Sequence, residues 1–341
     1  MEGVLNVKKS MVLLLVLCSF IAASVWTAEA APYRVNIATA TTGGAYYPIG
    51  NAMAQIWTKK LDGQVRASAQ STAGTPQNIE LMMNGEVQIG IGQNGVCYYA
   101  YYATDAYEGK AGFPWKGIRG MFTLYPNVMH WVVRKDAGIK SLSDFKGKRI
   151  IPGQVASATE INSREMLVPY GLNYMKDKGE VNVQAEYLGY NEAVDLLKNA
   201  QTDGTHIAGG VPTAAVIDLM SSDAGELLSM EADKIEEICK RYPWYFPFTI
   251  PAGTYPKQDK DVQTIALSNI LFTDEKQSEE MIYLLTKATY EFHDDMVAAH
   301  KATEYVVEEN AFKGMTVPLH AGSIKYFQEK GIEVPAELIL K

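Results

Sequence analysis

Apolar and polar positions along this chain alternate between two periods. Tyr33–Thr39 (YRVNIAT) repeats with period two and predicts a strand, whereas Ala45–Leu61 carries Ile49, Met53, Ile56 and Trp57 at helical spacing. Strands over Val65–Ala69 and Val87–Ile91, with helices over Pro76–Asn84 (ending at Gly85) and Gly95–Ala103, complete a first βα series. A second series has its own start. Strand Val128–Arg134 precedes a short helix opened by Ser141 or Ser143, a turn at Gly147 and strand Arg149–Ile151. Helix Ala158–Tyr170, strand Val181–Leu188, helix Asn191–Asn199, strand Thr205–Gly209 and helix Thr213–Met220 follow. Residues 241–256 (RYPWYFPFTIPAGTYP) form an aromatic, proline-rich crossover, then strand Thr264–Thr273 and a mainly helical tail from about Lys276. Repeated βα units call for parallel sheets with helices on their faces. Two such series predict an α/β protein of two lobes.

The first thirty residues follow neither period. Lys8 and Lys9 precede an apolar run from Met11 to about Ala23, and Ala28-Glu29-Ala30 is a small-x-small site. This is the layout of a secretory signal peptide cleaved after Ala30. The run is shorter than the ~20 apolar residues that a spanning helix needs, which disfavours a membrane anchor. Leu17 before Cys18 disfavours a lipoprotein signal, which wants a small residue there.

Composition then narrows the partners. Residues 1–30 hold two acidic and two basic side chains, so the remaining 311 (341 − 30) keep the formal charge of −8. An acidic, evenly mixed surface argues against nucleic acid or anionic membrane as partner. No later segment approaches spanning length, so no stable membrane insertion of the mature chain is expected. Cys97 and Cys239 permit one disulfide in an oxidising compartment, and a buried thiol at Cys97, in its apolar helical pattern, is an equal reading. Two cysteines cannot build a structural zinc site.

In open α/β sheets ligands sit beyond the carboxyl ends of the strands. Five loops fall there: Thr41–Tyr47, Ser71–Thr75, Gly92–Asn94, Gly153–Thr159 and Gly209–Thr213. All are small, neutral and rich in hydroxyls or amides, and most run into a helix N-terminus, which favours an anion. One Gly-Gly turn with core tyrosines would mean little. Five loops of one character point to a site. Enzyme chemistry is less well served: none of the five histidines stands in a metalloprotease motif, and no nucleophile elbow or phosphate-loop lysine occurs. His293 and His300, two turns apart, fit a solvated polar face better than a metal pair. The run Cys97–Tyr102 fits core packing better than a cleft wall.

Several segments in order along the chain carry a more specific signal. They are GGAYYPIGNA (43–52), TAGTPQN (72–78), LYPN (124–127), GKRIIPG (147–153) with ASATE (156–160), GVPTAA (210–215), IPAGTY (250–255) and PLHAGS (318–323). On these the sequence resembles the TAXI-type solute receptors of tripartite ATP-independent periplasmic (TRAP) transporters. The resemblance implies a two-lobed type II periplasmic binding fold, each lobe a βα sheet sandwich joined by hinge strands. It implies a periplasmic receptor that captures a small organic acid or amino acid, glutamate- or 2-oxoglutarate-like. The partners it implies are a small anionic or zwitterionic solute and the TRAP membrane subunits, with no cofactor and no metal. Where the family pattern has Glu after Leu-Tyr-Pro this chain has Asn127, and Ala156-Ser157-Ala158-Thr159 stands for Gly-Ser-Gly-Thr. An exported ligand-sensing adaptor, or less well an exported α/β enzyme, is the alternative.

Loops and motifs together give the expected ligand-binding residues: Thr42, Gly44, Ala45, Tyr46, Tyr47, Gly74, Thr75, Gln93, Tyr125, Ser157, Ala158, Thr159, Gly210, Pro212 and Thr213. One of Tyr46 and Tyr47 is expected at the ligand, since neighbours on a helix diverge by ~100°. Arg34, Arg66, Arg149 and Arg164 lie outside the loops, so carboxylate recognition is expected from backbone N–H groups and neutral side chains. Residues 32–125 with 272–341 are expected to form lobe one, and 126–271 lobe two.

Overall fold

Strand β1 (Tyr33–Ala38) buries Val35, Ile37 and Ala38 and leaves Arg34 exposed, as its alternation predicts. The computed structural model describes residues 31–340, so the leader expected over residues 1–30 lies outside the described residues. After β1 come α1 (Tyr46–Lys60), β2 (Val65–Gln70), α2 (Thr75–Met83), β3 (Ile89–Gln93) and α3 (Asn94–Tyr102). β1 lies between β2 and β3 and runs parallel to both. α1 turns Ile49, Met53, Ile56 and Trp57 into one core cluster, and the Trp57 indole donates to the Thr289 hydroxyl at 3.0 Å.

The second series follows the long strand β4 (Ile118–Arg134). It comprises β5 (Arg149–Ile151), α4 (Ala158–Leu167), β6 (Gln184–Ala185), α5 (Tyr190–Lys198), β7 (Gly204–Gly209), α6 (Ala214–Ser221), β8 (Gly225–Leu227), α7 (Ala232–Arg241) and β9 (Phe246–Ile250). Strand β10 (Val262–Asp274) then returns, and α8 (Glu279–Glu291), α9 (His293–Ala299) and α10 (Ala321–Glu329) complete the chain. The strand order is β2-β1-β3-β10-β4-β7-β5-β6, with β8 on β4 and β9 on β10.

β4 and β10 hold this arrangement together. The first part of β4 pairs antiparallel with β10, and its last part, Val128–Val133, pairs with β7. β10 pairs with β9 over Val262–Ala266 and with β3 over Asn269–Thr273. Each strand therefore passes from one lobe to the other, and the handover sits at Pro126–Val128 and Ala266–Asn269, where the register shifts after Ser268. The tail helices share the α1 core through Leu285, Tyr326 and Phe327, whereas Trp131, Phe145, Leu167 and Ile238 form a separate core in the other lobe. This is the two-lobed α/β architecture of a type II periplasmic binding fold.

Several elements differ from their sequence pattern for identifiable reasons. β4 begins at Ile118, not at Val128, because Gly120 and Pro126 disguise the strand. Gly120 takes its place by bonding the tail, accepting from His320 N and donating to Pro318 O, each at 2.8 Å. The run 181–188 shrinks to the two-residue edge strand β6, with Val181 and Tyr187 exposed. The aromatic crossover hides β9, whose Pro247 is tolerated because this strand pairs on one side alone, with β10.

Asn78 ties the first lobe's loops together. Its Nδ2 donates to Thr39 O at 2.7 Å and Ile91 O at 2.9 Å, and its Oδ1 accepts from the Thr72 hydroxyl at 2.6 Å. It is fully buried. Asn78→Ala strands these partners, so chemical denaturation should read a loss of about 2–4 kcal/mol. A loss below ~0.5 kcal/mol would show that the loops hold without it.

Candidate ligand-binding site

A buried amide group has to be bonded, and the first four N–H groups of a helix have no partner within the helix. Five helices of this chain begin at the wall of one small cavity. The residues just before them, Ala45, Gly74, Gln93, Ser157 and Gly189, all line it. Three of these helices come from the first lobe and two from the second, so the cavity lies between the lobes. Only α4 has a side-chain cap: Ser157 Oγ accepts from Glu160 N at 3.2 Å. The N-cap residues of α1, α2, α3 and α5 provide none, although within α3 Asn94 Oδ1 accepts from Gly95 N at 2.8 Å. The cavity holds about 40 Å³.

Of the residues expected from sequence, Gly44, Ala45, Tyr46, Gly74, Thr75, Gln93, Ser157, Ala158 and Thr159 stand in this wall. The other six stand outside it. Thr42 is exposed, and Tyr47 is half-buried on the turned-away side of α1. Tyr125 is buried, with its ring facing Gly210, where an added Cβ would lie 3.1 Å from Cε2. Gly210, Pro212 and Thr213 are displaced by their own bonding. The Thr213 hydroxyl donates to Gly210 O, and Thr213 N donates to the Tyr255 hydroxyl at 3.1 Å, so the donors of Thr213 itself are taken.

Sequence reasoning missed Asn127, Gln154 and the pair Gly189-Tyr190 as wall residues. Asn127 stood out only as a departure from a motif. Gly189-Tyr190 repeats the Gly44-Ala45-Tyr46 signal, small residues and then a tyrosine where strand passes into helix, and that repetition could have found it.

The glycine pair has a definite task. Neither Gly43 nor Gly44 is among the positive-φ glycines, so turn geometry does not demand them. A Cβ on Gly43 would lie 3.3 Å from Tyr190 Cβ and 3.2 Å from Asn191 Cγ, and one on Gly44 would lie 3.3 Å from the Tyr190 ring. The glycines let the second lobe's α5 approach the first lobe's loop. Tyr46 donates its hydroxyl to Asn269 Oδ1 at the register shift of β10. The Tyr190 hydroxyl donates to Ala208 O at 2.8 Å and meets the Thr159 hydroxyl at 2.6 Å. Ser157 donates to Gln154 O at 2.7 Å. The hydroxyls of Ser157 and Thr159 are thus engaged within the protein, and they shape the wall.

No wall residue is charged. Arg164 pairs with Glu160 at 2.9 Å, Arg149 donates to Gln201 O at 2.9 Å, and Arg34 and Arg66 are exposed. Among the described residues no group of three or more His, Cys, Asp or Glu could hold a metal ion. His300 Nδ1 accepts from Ala302 N, His293 Nε2 bonds Thr303 O, and His320 Nδ1 accepts from Gly322 N, so these histidines serve loops and helix starts. Cys97 and Cys239 are free thiols. A larger groove of about 920 Å³ lies elsewhere, lined by Tyr98, Tyr125, Trp244, Phe246 and Tyr305, and of the helix starts it meets only Asn94.

A buried carboxyl bonds across the lobes. Glu165 of α4 accepts from the Tyr99 hydroxyl of α3 at 2.6 Å and from the Tyr245 hydroxyl of its own lobe. Trp244 packs edge-on against Tyr99 at 4.9 Å, and Ala158 and Ile161 join the α3 core cluster. Burial pushes the Glu165 carboxyl up from 4.5 to about 7, against the lowering effect of the two phenols. Between these values the folded protein keeps a proton that the unfolded chain has lost. Stability from this group is therefore complete below pH ~4.5 and falls as pH rises towards ~7. Buried His130 and His206, lowered by burial to about 4 and about 3, act in the opposite sense. The difference between wild type and Glu165→Gln isolates the carboxyl. Denaturation across pH 4–8 should show that difference shifting by up to about 3 kcal/mol in favour of the variant as pH rises. A difference that does not change with pH would contradict the burial argument.

Solved structures of similar fold include a protein of Bordetella bronchiseptica RB50, 15% identical, with 91% of this chain and 86% of that chain covered and a TM-score of 0.51. The periplasmic aliphatic sulphonate binding protein SsuA from Escherichia coli is 15% identical, over 90% of this chain and 88% of that one, with a TM-score of 0.49. The substrate binding protein of an amino acid ABC transporter is 13% identical, over 82% and 99%, with a TM-score of 0.46. The likeness to the Bordetella protein is one of fold. The profile of the NMT1-like family matches residues 37–331, and the chain belongs to that family.

Proposed function

We propose that this protein is an exported solute receptor that encloses a small organic acid or amino acid between its lobes and passes it to a membrane permease. The observation that carries the reading is the convergence of five helix starts, four without side-chain caps, on one cavity between two lobes. Uncapped N–H groups and aligned dipoles suit an anion and need no cationic side chain. Hydrogen bonds shared between the lobes form on closing and are given up on opening, which suits a carrier that must release its cargo.

The TAXI-like motifs support a TRAP transporter as the permease and a periplasmic location, and glutamate or 2-oxoglutarate as the kind of ligand. The layout of residues 1–30 supports export. Among the described residues no helix is long and apolar enough to cross a membrane. In this reading residues 32–125 and 272–341 move against residues 126–271, with β4 and β10 as the hinge.

Small-angle scattering on ligand-stripped protein, before and after adding the small molecule that mass spectrometry finds in the purified protein, tests the reading. The expected result is a carboxylate that is recovered chemically unchanged and reduces the radius of gyration. An unchanged radius at saturation, or turnover of the molecule, would overturn it.

A further inference from the structure

The wall of the cavity has a chemical asymmetry that bears on which solute fits. It offers helix N-termini for negative charge, and no carboxylate for positive charge. Its wall residues include no Asp, Glu, Lys, Arg or His. Glu192 approaches Gly189 closely, but it is exposed and is not a wall residue. Glu160 is engaged by Arg164 and by the Tyr174 hydroxyl. An ammonium group enclosed here would lose its water without gaining a counter-charge, and such burial is strongly unfavourable.

Two side chains independently point to a ligand. Gln93 and Asn127 are each only 2% exposed, both line the cavity, and Gln93 Oε1 and Asn127 Oδ1 have no hydrogen-bond partner. Native proteins rarely leave buried amides unbonded. The unbonded atoms are acceptors: a hydroxyl can donate to either carbonyl oxygen, and an oxo group can accept once the amide is turned over to present its nitrogen at the same point. The space is also small. A water-sized sphere can be centred in only about 40 Å³ of it.

Resting on the solute-receptor reading above, we infer that the cavity selects a short 2-oxo or 2-hydroxy monocarboxylate and rejects the matching amino acid. The carboxylate lies against the uncapped helix starts, and the oxo or hydroxyl oxygen meets Gln93 and Asn127. The charge of an α-ammonium has no partner in the wall.

Calorimetry on ligand-stripped protein with matched probes tests this: pyruvate and L-lactate against L-alanine, and 2-oxoglutarate against L-glutamate. The expected result is that pyruvate or lactate binds at least about 100-fold more tightly than alanine, and that pyruvate binds more tightly than 2-oxoglutarate. Alanine or glutamate binding as well as its oxo partner would overturn the inference and leave the receptor reading intact, and so would 2-oxoglutarate binding more tightly than pyruvate. If none of the five binds, this inference falls, and the receptor reading is decided by the copurified molecule. Gln93→Glu, which puts a carboxylate into the wall at almost constant shape, should move the pyruvate-to-alanine ratio towards alanine by at least about 10-fold. Glu192→Gln should leave that ratio unchanged. An unmoved ratio in Gln93→Glu, or a moved one in Glu192→Gln, would show that selection does not come from the missing counter-charge.

Discussion

Unbonded N–H groups at helix starts are a cost that a fold normally meets with side-chain caps or water. Here four of the five helices that open on the cavity lack such a cap, and the rest of the structure is arranged around that fact. The parallel strands of both lobes place their carboxyl ends, and so the following helix starts, at the cleft. Two lobes are needed because one sheet supplies only part of the ring: α1, α2 and α3 come from one side, α4 and α5 from the other. Small residues at those starts let the two sides meet. Gly43 and Gly44 accept Tyr190 and Asn191 at distances that a side chain would block.

Closure is then stabilised away from the cavity. Tyr99 reaches Glu165 across the lobes, and Tyr245 bonds the same carboxyl from within its own lobe. The cavity itself stays neutral. Charged side chains near it, such as Arg164, are occupied by other groups. A binding energy drawn from dipoles and hydrogen bonds in an enclosed, low-dielectric space can be large when closed and is quickly lost to water on opening.

Much of this was legible in the sequence because it is local. Strand-to-helix alternation follows from apolar spacing, and the loops at Gly44–Tyr46, Gly74-Thr75, Gln93 and Ser157–Thr159 announce themselves by small and hydroxyl-bearing residues at helix starts. What was illegible depends on tertiary packing. The first part of β4 looks like a loop because Gly120 and Pro126 break its pattern, and only the bridge it makes with the tail at Leu319 explains the glycine. The loop 210–213 has the right composition, yet its donors are taken by Gly210 O and Tyr255, a residue some forty positions away. Asn127 reaches the wall because β4 crosses between the lobes there. Tyr99 belongs to a tyrosine run that reads as core, and its bond to Glu165 exists only because α3 and α4 face each other across the closed cleft.

The central claim is that uncapped helix starts, rather than a basic side chain, hold an anionic ligand. A crystal structure of the protein with the molecule that copurifies tests it most directly. The account predicts carboxylate oxygens within about 3 Å of backbone nitrogens at the starts of α1, α2, α3 or α5, with no Lys or Arg nitrogen within about 4 Å. A carboxylate paired with an arginine or lysine, or a ligand seated in the aromatic groove beside Trp244, would contradict it.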